Sequence, residues 1–273
     1  MKHIRWFSIP YIAWMVLFTV APVFLVIYYA FTNAPDSSAV TFAHLLKSFD
    51  WIYLKVLLRS LWLAVLCTVI CLVIAYPIAM FLAKRPAGDL LSVLFILPMW
   101  MNFLLRTYAW MSLLENTGLI NKLLGILGFG QVSLLYNTGA VLLGMVYNYL
   151  PFMILPLYTT LQKLDHAYIE AAQDLGANSV QVFLRVTLPL SRPGIVSGIT
   201  MVFMPSVTTF VISKLLGGSQ FLLYGDLIEQ QFLQSGNWNF GAMLSFVMLV
   251  IMMASLAIRN KVNKKTGQGR SYL

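Results

Sequence analysis

The chain has 273 residues, of which 60% are hydrophobic and only 10% charged. A soluble globular domain carries roughly 25% charged residues, so an ordinary cytosolic enzyme, a disordered chain and a collagen-like fibre are excluded. Two cysteines exclude a disulfide scaffold, and a formal net charge of +9 makes the placement of the basic residues the first question.

A membrane span needs about 20 mostly apolar residues to cross a hydrocarbon core roughly 30 Å thick. Six such stretches follow one another, at about 7–31, 60–83, 90–114, 138–161, 193–213 and 240–258. The first is too long for the core of a secretory signal, and no small-x-small cleavage site follows, so it reads as a retained span. After it, Thr41 can cap a helix in which Phe42, Leu45, Leu46, Phe49, Ile52 and Val56 recur at helical spacing. That pattern predicts an amphipathic helix along the outer membrane surface, with Trp51 and Tyr53 at the interface. In the second stretch Cys67 and Cys71 share a face, as small apolar core residues. The third is interrupted only by Arg106, which either snorkels outward, pairs with Glu115 or a carbonyl, or serves the transported molecule.

No Asp or Glu falls in the middle of a span, which argues against a proton- or sodium-coupled transporter. Between spans four and five lies a polar segment, residues 163–192. Asp165 can cap a short helix through Gln173, and Gly176 can stop it in the left-handed conformation. Ser179 can cap a second helix that Pro189 ends. The product is a helix–turn–helix larger than a connection between spans requires.

The loop charges set the orientation. Lys2, Arg5, Lys84, Arg85, Lys163, Arg185, Arg192, Arg259, Lys261, Lys264, Lys265 and Arg270, 12 in all, fall on one side, against 5 on the other (Lys47, Lys55, Arg59, Lys122 and Lys214). This bias places both termini and the 163–192 loop in the cytoplasm and accounts for the basic tail without nucleic acid, lipid headgroups being its other partner. No phosphate-cradling loop, H-E-x-x-H or G-x-S-x-G occurs. His3, His44 and His166 lie in different segments, so no metal site and no catalytic cluster is expected.

One pattern in the cytoplasmic loop has a known counterpart. Glu170-Ala171-Ala172, then Gly176, then Val186-x-Leu188-Pro189 resembles the EAA loop of bacterial ABC importer permeases. The resemblance implies an all-α membrane protein of six transmembrane helices with the type I importer permease architecture. It also implies that Glu170, Ala171, Ala172, Asp174, Gly176, Leu188 and Pro189 form the coupling element that docks on an ATPase. Further stretches are similar to the spermidine/putrescine branch: Ala75-Tyr76-Pro77-Ile78-Ala79, Leu105-Arg106-Thr107-Tyr108-Ala109-Trp110, Gly118-Leu119-Ile120-Asn121 and Leu150 to Leu157. Leu215-Leu216-Gly217-Gly218, followed by Gly225, Gln231-Phe232 and Asn237-Trp238, leans the same way. The branch often has an acid where Lys214 stands and Asp-Trp-Pro where this chain reads Asn237-Trp238-Asn239.

The resemblance implies the partners: a second, sibling permease, two ATPase subunits that bind the ATP and magnesium, and an extracytoplasmic polyamine-binding protein. The chain itself needs no cofactor and catalyses nothing. It is placed in the bacterial inner membrane. A polyamine needs carboxylates for its ammonium groups and aromatic faces for cation–π contact. Phe221, Tyr224, Asp226, Glu229 and Trp238, in what reads as an exposed outer loop, are the candidates, with Arg106. Gly194 and Gly198 form a small-xxx-small pair for helix packing, within the chain or against the partner permease. A permease for another small solute, such as sulfate or iron, is the alternative; a secondary transporter and a membrane enzyme lack their marks.

Overall fold

The computed structural model describes residues 10–34, 37–85, 88–128, 130–218 and 221–265. Lys2, Arg5 and Arg270, and residues 7–9 of the first apolar stretch, lie outside them. In chain order the elements are α1 (Pro10–Ala30), β1 (Thr32–Ala34), β2 (Ser37–Val40), α2 (Ala43–Ser48) and α3 (Trp51–Ala83). Next come α4 (Gly88–Trp100), α5 (Phe103–Leu114), α6 (Leu119–Ile126), α7 (Thr138–Gln162), α8 (Ala167–Asp174) and α9 (Ser179–Leu190). The last are α10 (Arg192–Thr208), the wide turn α11 (Ser213–Gly217), α12 (Tyr224–Leu233) and α13 (Trp238–Lys265). Among the described residues four helices, α1, α3, α7 and α13, are long and apolar enough to cross a membrane, and the count is six if each of two bent helix pairs is one span.

The chain groups into two compact units. One comprises the residues up to Leu57 with Tyr224–Ser255, the other Leu58–Leu223 with the residues from Leu256.

In the larger unit, α3 buries Leu63, Cys67, Cys71, Ala75, Ala79 and Leu82, a stripe at the three-to-four spacing that puts residues on one helix face. Both thiols are fully buried within it. Helix α10 packs along α7, and its small residues permit this. A β-carbon on Gly194 would meet Thr160 and the Pro156 carbonyl, and one on Gly198 would meet Met153. The small-residue face therefore serves packing inside this chain. The Tyr149 hydroxyl donates to the Pro205 carbonyl at 3.2 Å and ties the same pair.

The third apolar stretch is not one straight helix. α4 ends at Trp100, and the helical pair after it, α5 with α6, runs at 87° to α4. The Asn102 side chain accepts from the Leu104 amide at 2.8 Å and starts α5 afresh. The Asn121 carboxamide donates to the Glu115 and Val132 carbonyls and accepts from the Val132 amide, all at 3.0 Å, which pins the loop after α6.

In the smaller unit, β1 and β2 form an antiparallel hairpin with Thr32 opposite Val40. The expected amphipathic helix is divided. The cap position is Phe42 rather than Thr41, whose hydroxyl accepts from the Ala43 amide at 3.2 Å; α2 stops at Ser48, and Trp51, Ile52 and Val56 belong to α3. At the other end of the unit's sequence, the Asn239 carboxamide donates to the Tyr29 carbonyl at 3.1 Å and the Thr32 carbonyl at 2.8 Å. Phe31 stacks edge-on against Phe246 at 5.4 Å, so α1 and α13 are joined by packing as well.

Candidate coupling hairpin and translocation-path residues

Helix α8 is made by local chemistry. The Asp165 carboxylate accepts from the Ala167 amide at 3.0 Å and opens it. Gly176 closes it at φ +82°, with its amide donating to the Gln173 carbonyl and the Ala177 amide to the Ala172 carbonyl. That is the paired-bond end in which a left-handed glycine satisfies the last carbonyls. The next helix begins one residue earlier in its cap than Ser179 would set it. Asn178 is the cap, exchanging bonds with Gln181 at 2.9 and 3.0 Å in a reciprocal capping box.

Pro189 does not end α9. The helix widens over Phe183–Thr187, where the Leu188 amide reaches back five residues to Phe183. A wider turn relieves the clash between a proline ring and the preceding turn, so the helix continues to Leu190. α9 and α10 then meet at 64°. At that junction the Ser191 hydroxyl lies 2.7 Å from the Tyr76 hydroxyl of α3.

The residues marked for coupling divide into two groups. Glu170, Ala171 and Asp174 are exposed on α8, Ala172 is half-buried, and neighbouring Leu175 is 89% exposed. Leu188 is instead half-buried and packs against the core of its unit, with Pro189 beside it. The first group forms a surface and the second the stem beneath it.

The path candidates fall in both units. Phe221 and Arg106 belong to the larger unit, and Tyr224, Asp226, Glu229 and Trp238 to the smaller. Phe221 is buried, and the Arg59 guanidinium lies 3.6 Å over its ring, so this chain itself occupies the face expected to meet a cationic cargo. Arg106 is buried as well. Its Nη1 donates to the Pro98 carbonyl at 3.0 Å, across the α4–α5 break, so the carbonyl pairing applies and snorkelling does not.

The segment expected as an exposed loop contains helix α12. Tyr224 and Asp226 sit in its first turn and are buried, Asp226 at 5% exposure. A carboxylate in a first helical turn complements the exposed amides there. Burial raises the Tyr224 phenol well above its ordinary value, which keeps it neutral. Glu229 is half-buried one turn on, and Trp238 is exposed, its ring edge-on to Phe232 at 5.7 Å. Reasoning from the sequence missed the Asn102 cap, the Asn178–Gln181 box and the Asn239 clasp. The first two were visible as cap-type residues at fixed spacing.

The family described as "binding-protein-dependent transport system inner membrane component" matches residues 72–267. The spermidine/putrescine transport system permease protein PotB of Escherichia coli (strain K12) is 39% identical over 90% of this chain and 93% of its own. PotB of Haemophilus influenzae is 38% identical, over 92% and 91%. Among solved structures, a bacterial alginate ABC transporter in complex with alginate pentasaccharide-bound periplasmic protein has a chain that superposes with a TM-score of 0.82. That chain is 15% identical, with 98% of this chain and 96% of that one covered, so the likeness is one of fold.

Proposed function

Since the chain belongs to the binding-protein-dependent transport system inner membrane component family, we propose that it forms half of the translocation path of an ATP-driven importer of spermidine or putrescine. It is a multi-pass protein of the bacterial inner membrane and a transport component rather than a catalytic subunit. The observation that carries the cargo reading is the likeness to PotB proteins along almost the whole of both chains.

In this reading both termini are cytoplasmic, two separate ATPase subunits bind the ATP and magnesium, a sibling permease completes the path, and a polyamine-binding protein delivers cargo outside. Helix α8 is the docking element. Its alanines allow another backbone close, and Glu170 and Asp174 offer charge to a cation on the ATPase. Its stem explains transmission. A push on α8 passes through the glycine turn to α9, across the bend to α10, and through the Gly194 and Gly198 contacts to α7. On the cargo side, Asp226 and Glu229 offset the lost hydration of the ammonium groups, and Tyr224 and Trp238 supply aromatic faces.

The test is reconstitution of the chain with its partner subunits in proteoliposomes. Uptake of radiolabelled spermidine or putrescine that requires both ATP and the binding protein is the expected result. ATP-dependent uptake of sulfate or iron with none of polyamine would replace the cargo.

A further inference from the structure

Beneath the α8–α9 hairpin lies a cavity of about 160 Å3. Its apolar wall comes from two sides: Met80 and Leu161 at the ends of α3 and α7, and Ile169 and Phe183 on the hairpin. Its polar side chains are Lys84, His166, Gln173, Ser179 and Thr187, and no carboxylate is among the described residues that line it. Glu170 and Asp174 stand elsewhere on α8, exposed.

The size and the chemistry narrow the occupant. An apolar cavity of about 150 Å3 accepts benzene, so the body is one small ring or a chain of roughly six carbons. An apolar pocket with a few converging polar groups is the usual form of a small-molecule site. Lys84, with no acid among the described lining residues, selects a negative head over an amine. A polyamine is therefore the wrong ligand for this pocket. We propose that the cavity is a binding site for a small, freely soluble, singly charged carboxylate with an apolar body. A molecule seated there touches the hairpin and the span ends together. The binding claim stands apart from the cargo and ATPase readings, because it needs only this chain.

The test uses the full chain in phosphatidylcholine nanodiscs, with para-fluorobenzoate as the probe followed by fluorine NMR. Binding should saturate and be at least about tenfold tighter than that of para-fluorobenzylamine, a gap of about 1.4 kcal/mol. Ala83→Leu, which adds bulk to a lining residue, should abolish the saturable component. Lys84→Gln, at an exposed position that leaves the fold intact, should weaken it about tenfold. Equal binding to wild type and Ala83→Leu, or no preference for the anion over the amine, would overturn the proposal. Loss of probe binding when the discs contain phosphatidylglycerol would also overturn it, assigning the site to a lipid headgroup.

Discussion

On α8, Tyr168, Glu170 and Asp174 are exposed, whereas on α12 Tyr224, Asp226 and Leu227 are buried. The two helices are of similar length, 8 and 10 residues, and each carries an acid in its first turn. What differs is how each is held. α8 is fixed by its own neighbours in sequence: the Asp165 carboxylate on the Ala167 amide, a Gly176 stop and an Asn178–Gln181 box. α12 instead has its first turn buried. A surface whose shape is set locally can give its exposed groups to a partner without disturbing the fold. A buried acid ties any function it has to the packing around it.

The largest effect should come from the exposed helix. On the proposed docking role of α8, Glu170→Lys reverses a charge presented to the ATPase. Loss of one partner from an interfacial charge pair costs about 2–5 kcal/mol, so retention of the ATPase in pull-down should fall by roughly thirtyfold or more. The thermal unfolding midpoint of the purified chain should match wild type, because Glu170 is exposed. A drop in midpoint would show that α8 leans on its surroundings as α12 does.

Asp226→Asn is the matching change on the buried helix. It keeps the shape and removes the charge. Spermidine uptake should fall about tenfold, or about 1.4 kcal/mol, with ATPase retention unchanged. If the unfolding midpoint fell in step with uptake, Asp226 would be a packing group and the path would run elsewhere.

The smallest effect concerns His44 on α2, in the same unit as α12. Burial first, then the neighbouring Lys47 cation, hold the imidazole below its ordinary value of 6.5, and a hydrogen bond with the Thr32 backbone partly offsets them. The folded chain therefore keeps His44 neutral where the unfolded chain has begun to take up a proton. Stability from this group is full above about pH 6.5 and declines as pH falls through the unfolded value towards the lower folded one. Wild type should lose more in unfolding midpoint between pH 7.5 and 5.5 than His44→Gln does. An equal loss would place the pH sensitivity in other groups.

Legibility from sequence followed the same division. Apolar run length placed the candidate spans, because the hydrocarbon thickness sets that length and little else matters. The hairpin was readable at Asp165 and Gly176, since caps and left-handed turns are decided within a few residues. The errors there were single steps: Asn178 in place of Ser179, and a wide turn that lets Pro189 stay within the helix. The bend between α4 and α5 was hidden because hydropathy alone sees Leu90 to Leu114 as uniform, although Pro98 and Asn102 marked the joint. α12 was taken for a loop because Gly217, Gly218 and Gly225 punctuate the segment before it and its first turn. Its helix is stabilised by burial, which no local pattern records. Phe221 shows the limit most plainly. An aromatic face suited to a cation was recognised, but the cation over it is Arg59, 162 residues earlier in the chain.

The most direct test joins the two regions in one experiment. In an assembled, transport-competent complex with Cys67 and Cys71 replaced by alanine, Ala171→Cys on α8 and Trp238→Cys at the start of α13 are each treated with a short bifunctional maleimide. Both positions are exposed, so both should label. The account predicts a cross-link from Ala171→Cys to the ATPase subunit and none from Trp238→Cys. Cross-linking to the ATPase from both positions, or from Trp238→Cys alone, would contradict it.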